Sequence, residues 1–261
     1  MNKINLILIL CFVPFSLWSQ IEDNTKHPKH LIGLQVELNN LLFKDLVFSP
    51  LNYSGQGFGG TFFYQRLIKE KNIFASSINY SSNSIKAKDI SATRTVHQKL
   101  SLELIYLHSL TSNKNGFNIY VGGRLSSQID NTLFEDEGGN AITYFNFHGF
   151  SIASRFDYRF NDKHQLISVV KIPVLGILVR PVQTGWDNEF FEEPGLATLY
   201  NGEFAFISSF FRIEWANLYQ FELSKKIDLN FQIHIQYAQT YKPALVKIMN
   251  TQLSIGSNLK F

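Results

Sequence analysis

The sequence predicts an all-β fold, a single antiparallel transmembrane β-barrel of about ten strands, with eight and twelve as the neighbouring counts. Three observations carry this. Apolar and polar residues alternate with period 2 in ten separate runs. The connections between those runs are short and long by turns. Beyond residue 19, no stretch is long and apolar enough for a membrane-spanning helix.

The chain opens with a basic Met1-Asn2-Lys3, an apolar stretch from Ile4 to Trp18 and then polar Ser19-Gln20. This is the pattern of a secretory signal peptide over 1–19, cut after Ser19. The stretch falls short of the roughly 20 apolar residues a spanning helix needs, and Pro14 interrupts it. The single cysteine, Cys11, lies inside it, so the exported chain is expected to lack both a disulfide and a thiol nucleophile. Residues 20–29 form a short polar leader, and the barrel is expected over 30–261. The histidines of His27-Pro28-Lys29-His30 lack further ligands, so no metal site is read there.

Composition narrows the classes. A 15% aromatic share excludes a disordered chain. A net charge of only +3 with no Lys/Arg block argues against a nucleic-acid partner. No Gly-rich phosphate loop has nucleotide-binding spacing.

The ten runs fall at about 30–43, 56–68, 72–85, 97–110, 117–130, 148–160, 164–179, 208–224, 228–241 and 246–261. Each reaches the ~9–11 residues of a tilted membrane strand. Leu229, Phe231, Ile233, Ile235 and Tyr237 alternate with Asn230, Gln232, His234, Gln236 and Ala238. In the last run Leu253, Ile255, Leu259 and Phe261 share one face, opposite Asn250, Gln252, Ser254, Asn258 and Lys260. Short connections are expected at 69–71, 111–116, 161–163 and 225–227, and longer ones at 44–55, 86–96, 131–147 and 180–207. A secreted β-sandwich, the remaining alternative, gives no reason for this alternation of lengths.

Ile255, Leu259 and the terminal Phe261 resemble the last strand of bacterial outer-membrane β-barrel proteins. The resemblance implies residence in a bacterial outer membrane, contact with membrane lipid and lipopolysaccharide, and recognition of Phe261 by the barrel-assembly machinery. It implies an architecture and no narrower family.

In this reading the apolar face meets lipid, as Leu100, Leu102 and Leu104, or Phe150, Ile152, Phe156 and Tyr158. Aromatics gather near strand ends as interfacial girdles, Tyr158, Phe160, Tyr219, Phe221 and Phe261 at one end and Phe58, Tyr80, Tyr237 and Tyr241 at the other. By parity the inner face carries Glu37, Lys99, Glu103, Arg124, Arg155, Asp157, Arg159, Lys171, Arg212, Glu214, Glu222, His234 and Lys260. So narrow a lumen favours a plug of paired charges over an anion-preferring pore at Arg124, Arg155 and Lys171.

The long connections supply the expected contact surface. Phe134, Glu135, Asp136 and Glu137 lie in 131–147, and Trp186, Asp187, Glu189, Glu192 and Glu193 in 180–207. Solvated loop charge is the first reading of these carboxylates, with bridging divalent cations as the alternative and no cofactor otherwise. Pro173 lacks a donor inside the seventh run, so a bulge or strand interruption is expected there, helped by Gly176. Catalytic signals are thin. His108 and Ser109 point to opposite faces, while His148 is paired on paper with Asp130 or Asp187 at the outer rim. The expected function is therefore non-enzymatic, a structural, accessory, binding or narrow-transport barrel with an unidentified protein partner. The alternative is an enzyme acting on lipid or peptide at the rim.

Overall fold

The computed structural model describes residues 30–47, 49–69, 71–87, 94–110, 116–136, 139–180 and 197–261. The expected signal peptide and polar leader lie outside the described residues.

Period-2 alternation becomes strand wherever it was read. The strands are β1 (His30–Asp45), β2 (Ser49–Ile68), β3 (Asn72–Ala87), β4 (Arg94–Ser109), β5 (Phe117–Asp136) and β6 (Gly139–Tyr144). They continue as β7 (Asn146–Arg159), β8 (His164–Val179), β9 (Glu203–Phe206), β10 (Phe210–Ser224), β11 (Ile227–Thr240) and β12 (Val246–Lys260). Among the described residues one short helix, α1 (Ala197–Tyr200), precedes β9. β6 and β7 both pair with β5 and act as one stave, as do β9 and β10 against β8. The result is a closed antiparallel barrel of ten staves, sealed where β1 pairs β12 from Leu31↔Lys260 to Asp45↔Val246.

The outward face is an apolar belt. Leu38, Leu102, Leu125, Ile152, Ile233 and Ile255 are all exposed, each about half. Exposure of this kind all round a barrel is what hydrocarbon, not water, accommodates. Tyr241 is exposed at the loop end, Tyr158, Phe160, Tyr219 and Phe261 at the terminus end, where β1 starts and β12 finishes, and Phe58 and Tyr80 stand mid-strand opposite Leu38 and Leu100. No described helix is long and apolar enough to cross a membrane.

The inner face has three zones, one of them a small apolar cluster of Ile73, Leu107, Tyr120 and Ala153 toward the terminus end. The middle of the face is polar, as parity predicts. Toward the loop end it turns apolar, with Leu41, Phe43, Tyr53, Ile85, Phe134, Phe147, Phe210, Val246 and Ile248 in one buried cluster. Parity identifies the inward face but not this change of chemistry along it.

Three expected loops are replaced in part by strand. β2 begins at Ser49, which leaves only a tight connection where 44–55 was expected open. β5 runs on to Asp136 and pairs with β6 through Asn131↔Tyr144, so 131–147 is largely a strand pair. Phe134 is therefore 3% exposed inside the barrel and not a loop contact. In 180–207, Arg180 is buried, α1 and β9 lie against the wall, and 181–196 fall outside the described residues.

Candidate functional site

β4, β5, β8, β10 and β11 each send alternate side chains inward, and these five staves converge on one charged cluster. Arg124 of β5 holds Glu214 of β10 through Nη1–Oε2 at 2.7 Å and Nη2–Oε1 at 2.8 Å. The same Nη1 lies 3.1 Å from Glu103 Oε1, and Lys171 Nζ lies 2.6 Å from Glu103 Oε2. Arg212 Nη2 closes on Glu214 Oε1 at 2.6 Å, and His234 Nε2 stands 3.8 Å from Glu214 Oε2. The two-pronged Arg124–Glu214 contact is the strong form of such a pair, since both N–H groups align with both oxygens. Arg124 is 0% exposed, so its guanidinium borders no open space, whereas Glu103, Lys171 and His234 line a lumen cavity of about 210 Å³.

The remaining inward groups form separate sets. Glu37 accepts from Thr61 at 2.5 Å and from Asn79 at 2.9 Å. Lys99 donates to Gln236 at 3.0 Å. Arg155 is not joined to the Arg124 cluster, although its sequence position predicts it near mid-depth with Arg124 and Lys171. It pairs with Asp157 at 2.6 Å and Gln65 at 2.8 Å, four residues nearer the terminus end on the inner face. There it borders a cavity of about 740 Å³, open at that end and also lined by Arg159, Lys69 and Lys260. Lys260 Nζ is held by Glu222 and Asp228, each at 2.8 Å.

Pro173 sits at a broken ladder. Phe150 pairs with Leu175 and Ser151 with Pro173, which leaves Val174 as a bulge. On the other side, pairing to β10 stops at Lys171 and pairing to β9 starts at Leu175. Inside the wall, Phe210 packs on Phe147 with ring centroids 4.6 Å apart. Gly176 makes room for this, because a Cβ there would meet the Phe147 ring at 2.7 Å and the His148 carbonyl at 2.6 Å.

No protein-family model matches the chain. No curated protein matches it in sequence. Solved structures do match. The outer-membrane protease OmpT of Escherichia coli aligns at 6% identity over 93% of this chain and 99% of its own, with a TM-score of 0.54. The fold is that of a bacterial outer-membrane β-barrel. At this identity the likeness concerns fold alone. The translocator domain of the autotransporter NalP from Neisseria meningitidis aligns at 9% identity over 99% of this chain and 95% of its own, with a TM-score of 0.48.

On this outer-membrane-type barrel, the expected pairing of His148 with Asp130 does not form. Asp130 faces the interior, where it accepts from Gln128 and stands 4.0 Å from His97 Nε2. His148 bonds Ser127 Oγ at 2.8 Å and the Leu199 carbonyl at 2.5 Å. Asp187, Trp186, Glu189, Glu192, Glu193 and Glu137 lie outside the described residues, as do the side chains of Glu135 and Asp136. Among the described residues, no group of three or more His, Cys, Asp or Glu is placed to hold a metal ion.

Sequence reading missed one buried pair. Arg180 Nη2 lies 2.9 Å from Asp45 Oδ1, and Nη1 donates to the carbonyls of Lys242 and Ala244 at 2.7 and 2.8 Å. Both residues fall in expected connections, 44–55 and 180–207, and no local signal links positions 135 residues apart in sequence.

Proposed function

We propose that the protein is a small non-conducting barrel of a bacterial outer membrane, acting as a structural or accessory component that works through its outer wall and its ends. The observation that carries this is the complete burial of Arg124 within its ion-pair cluster, with the apolar Phe147–Phe210 packing above it toward the loop end. A barrel this narrow leaves little interior beyond the side chains that fill it at mid-depth. The exposed apolar belt supports contact with lipid on all sides, and lipopolysaccharide is the partner expected at the loop end. The connections of that end, 180–207 foremost, are the surface offered to a protein partner. Export through cleavage after Ser19 and assembly through Phe261 complete the proposal. Phe261 stacks on His30 at 5.6 Å and closes the backbone ladder with it, so the last residue is held at the seam.

The test is conductance. Protein verified as folded by heat-modifiable gel mobility is inserted into planar bilayers. The proposal expects no unitary current steps, and reproducible ohmic channels from the wild-type chain would overturn it.

A further inference from the structure

The polar pair on the outer wall calls for a separate explanation. Outward residues form a row across five staves, in which Phe62 pairs with Ile78, Ile78 with Leu102, Leu102 with Ser127 and Ser127 with His148. The first three are lipid-facing and about half exposed. The last two are a serine and a histidine directly opposite each other, joined by a 2.8 Å hydrogen bond between Oγ and Nδ1. The other ring nitrogen, Nε2, lies 2.5 Å from the Leu199 carbonyl of α1, which rests on β7 and β8.

These partners settle the proton. A carbonyl oxygen only accepts, so the neutral ring carries its hydrogen on Nε2. Nδ1 then presents its lone pair to Ser127, and the Ser127 hydroxyl donates to it. This is the tautomer a general base needs, with a third group orienting the ring. Beside the pair runs a groove of about 590 Å³, walled by Phe62, Ile78, Leu102, Leu104 and Leu125 and reaching Ser127. The groove is open along the wall and its surface is mostly hydrocarbon, which suits an acyl chain.

We propose that Ser127 and His148 form a serine–histidine pair on the lipid-facing wall that hydrolyses an acyl ester of a membrane lipid lying in this groove. Ser127 Oγ attacks the ester carbonyl carbon and passes its proton to His148 Nδ1. The carbon–oxygen bond to the glycerol or sugar oxygen breaks, and that oxygen takes the proton from Nδ1. Water, deprotonated by Nδ1, then attacks the acyl-serine, the Oγ–carbon bond breaks, Ser127 regains its proton and a fatty acid leaves. The Leu199 carbonyl is a positioning group that holds the ring and supports its cationic form. The proposal goes beyond the non-conducting role and does not depend on it.

The experiment uses the full folded chain in detergent micelles. A fluorophosphonate probe is expected to label it, with the added mass on Ser127, and fatty acid is expected to be released from phosphatidylethanolamine or from lipid A presented in separate mixed micelles. Release from one lipid alone assigns the source of the ester. Ser127→Ala should abolish labelling and release, and His148→Gln should slow release by about 10²–10⁴-fold. Both variants should keep the heat-modifiable mobility of the folded barrel, since both side chains lie on its outside. Absence of labelling on the folded wild-type chain overturns the proposal. So does labelling without release from either lipid, or release unchanged in Ser127→Ala.

Discussion

Arg124 and Glu214, 90 residues apart in sequence, meet across the lumen in a two-pronged ion pair of 2.7 and 2.8 Å. Around them stand two more cations, Lys171 and Arg212, and one more carboxylate, Glu103. The cluster thus holds three cations against two carboxylates, and its members are not interchangeable. Removing Arg124 leaves matched charges. Removing Glu214 leaves three cations around Glu103 alone. Glu214→Gln is therefore expected to cost about 3–5 kcal/mol of unfolding free energy, the scale for an uncompensated buried charge. Arg124→Met is expected to cost clearly less. Urea titration in micelles, followed by gel mobility, orders the two, and the reverse order would refute this account.

The Asp45–Arg180 pair ties the β1–β2 turn, the end of β8 and the 242–244 segment together. Asp45→Ala leaves the Arg180 guanidinium buried with only two carbonyls. A loss on the order of 3 kcal/mol is expected. Limited proteolysis should show earlier cleavage at the loop end, while cleavage at the terminus end stays unchanged.

Gly176 and Phe147 should be coupled, because a Cβ at 176 meets the Phe147 ring at 2.7 Å. Gly176→Ala alone is expected to cost about 1–3 kcal/mol through overpacking. In a Phe147→Leu background the same change should cost less, and a double-mutant cycle reads the difference. Strict additivity would mean that the ring does not set the requirement for glycine.

The lipid-facing belt predicts a cost that depends on depth. Leu102→Arg, within the belt, is expected to destabilise the barrel by about 2–4 kcal/mol in bilayers, against about 0–1 for Phe160→Arg beside the terminus-end turn. Equal costs measured by urea titration in liposomes would argue against a membrane belt at Leu102.

Strand after strand was legible in the sequence because period 2 is a local property. Once one side of Leu229 to Tyr237 is apolar and the other polar, the two faces of β11 are assigned without knowledge of any neighbour. The number of staves follows from counting such runs. Parity also names the inward charges, Glu103, Arg124, Lys171, Arg212 and Glu214 among them. It does not say which charge meets which, because that depends on register and on the height at which each stave crosses the lumen. Arg155 shows the difference. It shares the inward face with Arg124, yet the β5–β7 register sets Tyr120 opposite Arg155 and Ser151 opposite Arg124.

Strand ends were read less well, since the long outer connections are polar and aromatic and their pairing is non-local. Phe134 has the same side chain in a loop as in a strand, and only the pairing of β5 with β6 buries it. The Ser127–His148 contact has the same origin, as two residues 21 apart become neighbours through a cross-strand pair. By itself, then, the sequence determined the strands, their two faces and the barrel they imply, because alternation acts within each strand. The tertiary structure alone decided the ion-pair partners, the apolar packing at the loop end and the outward serine–histidine contact, because hydrogen-bond register between staves sets every distance across and along the wall.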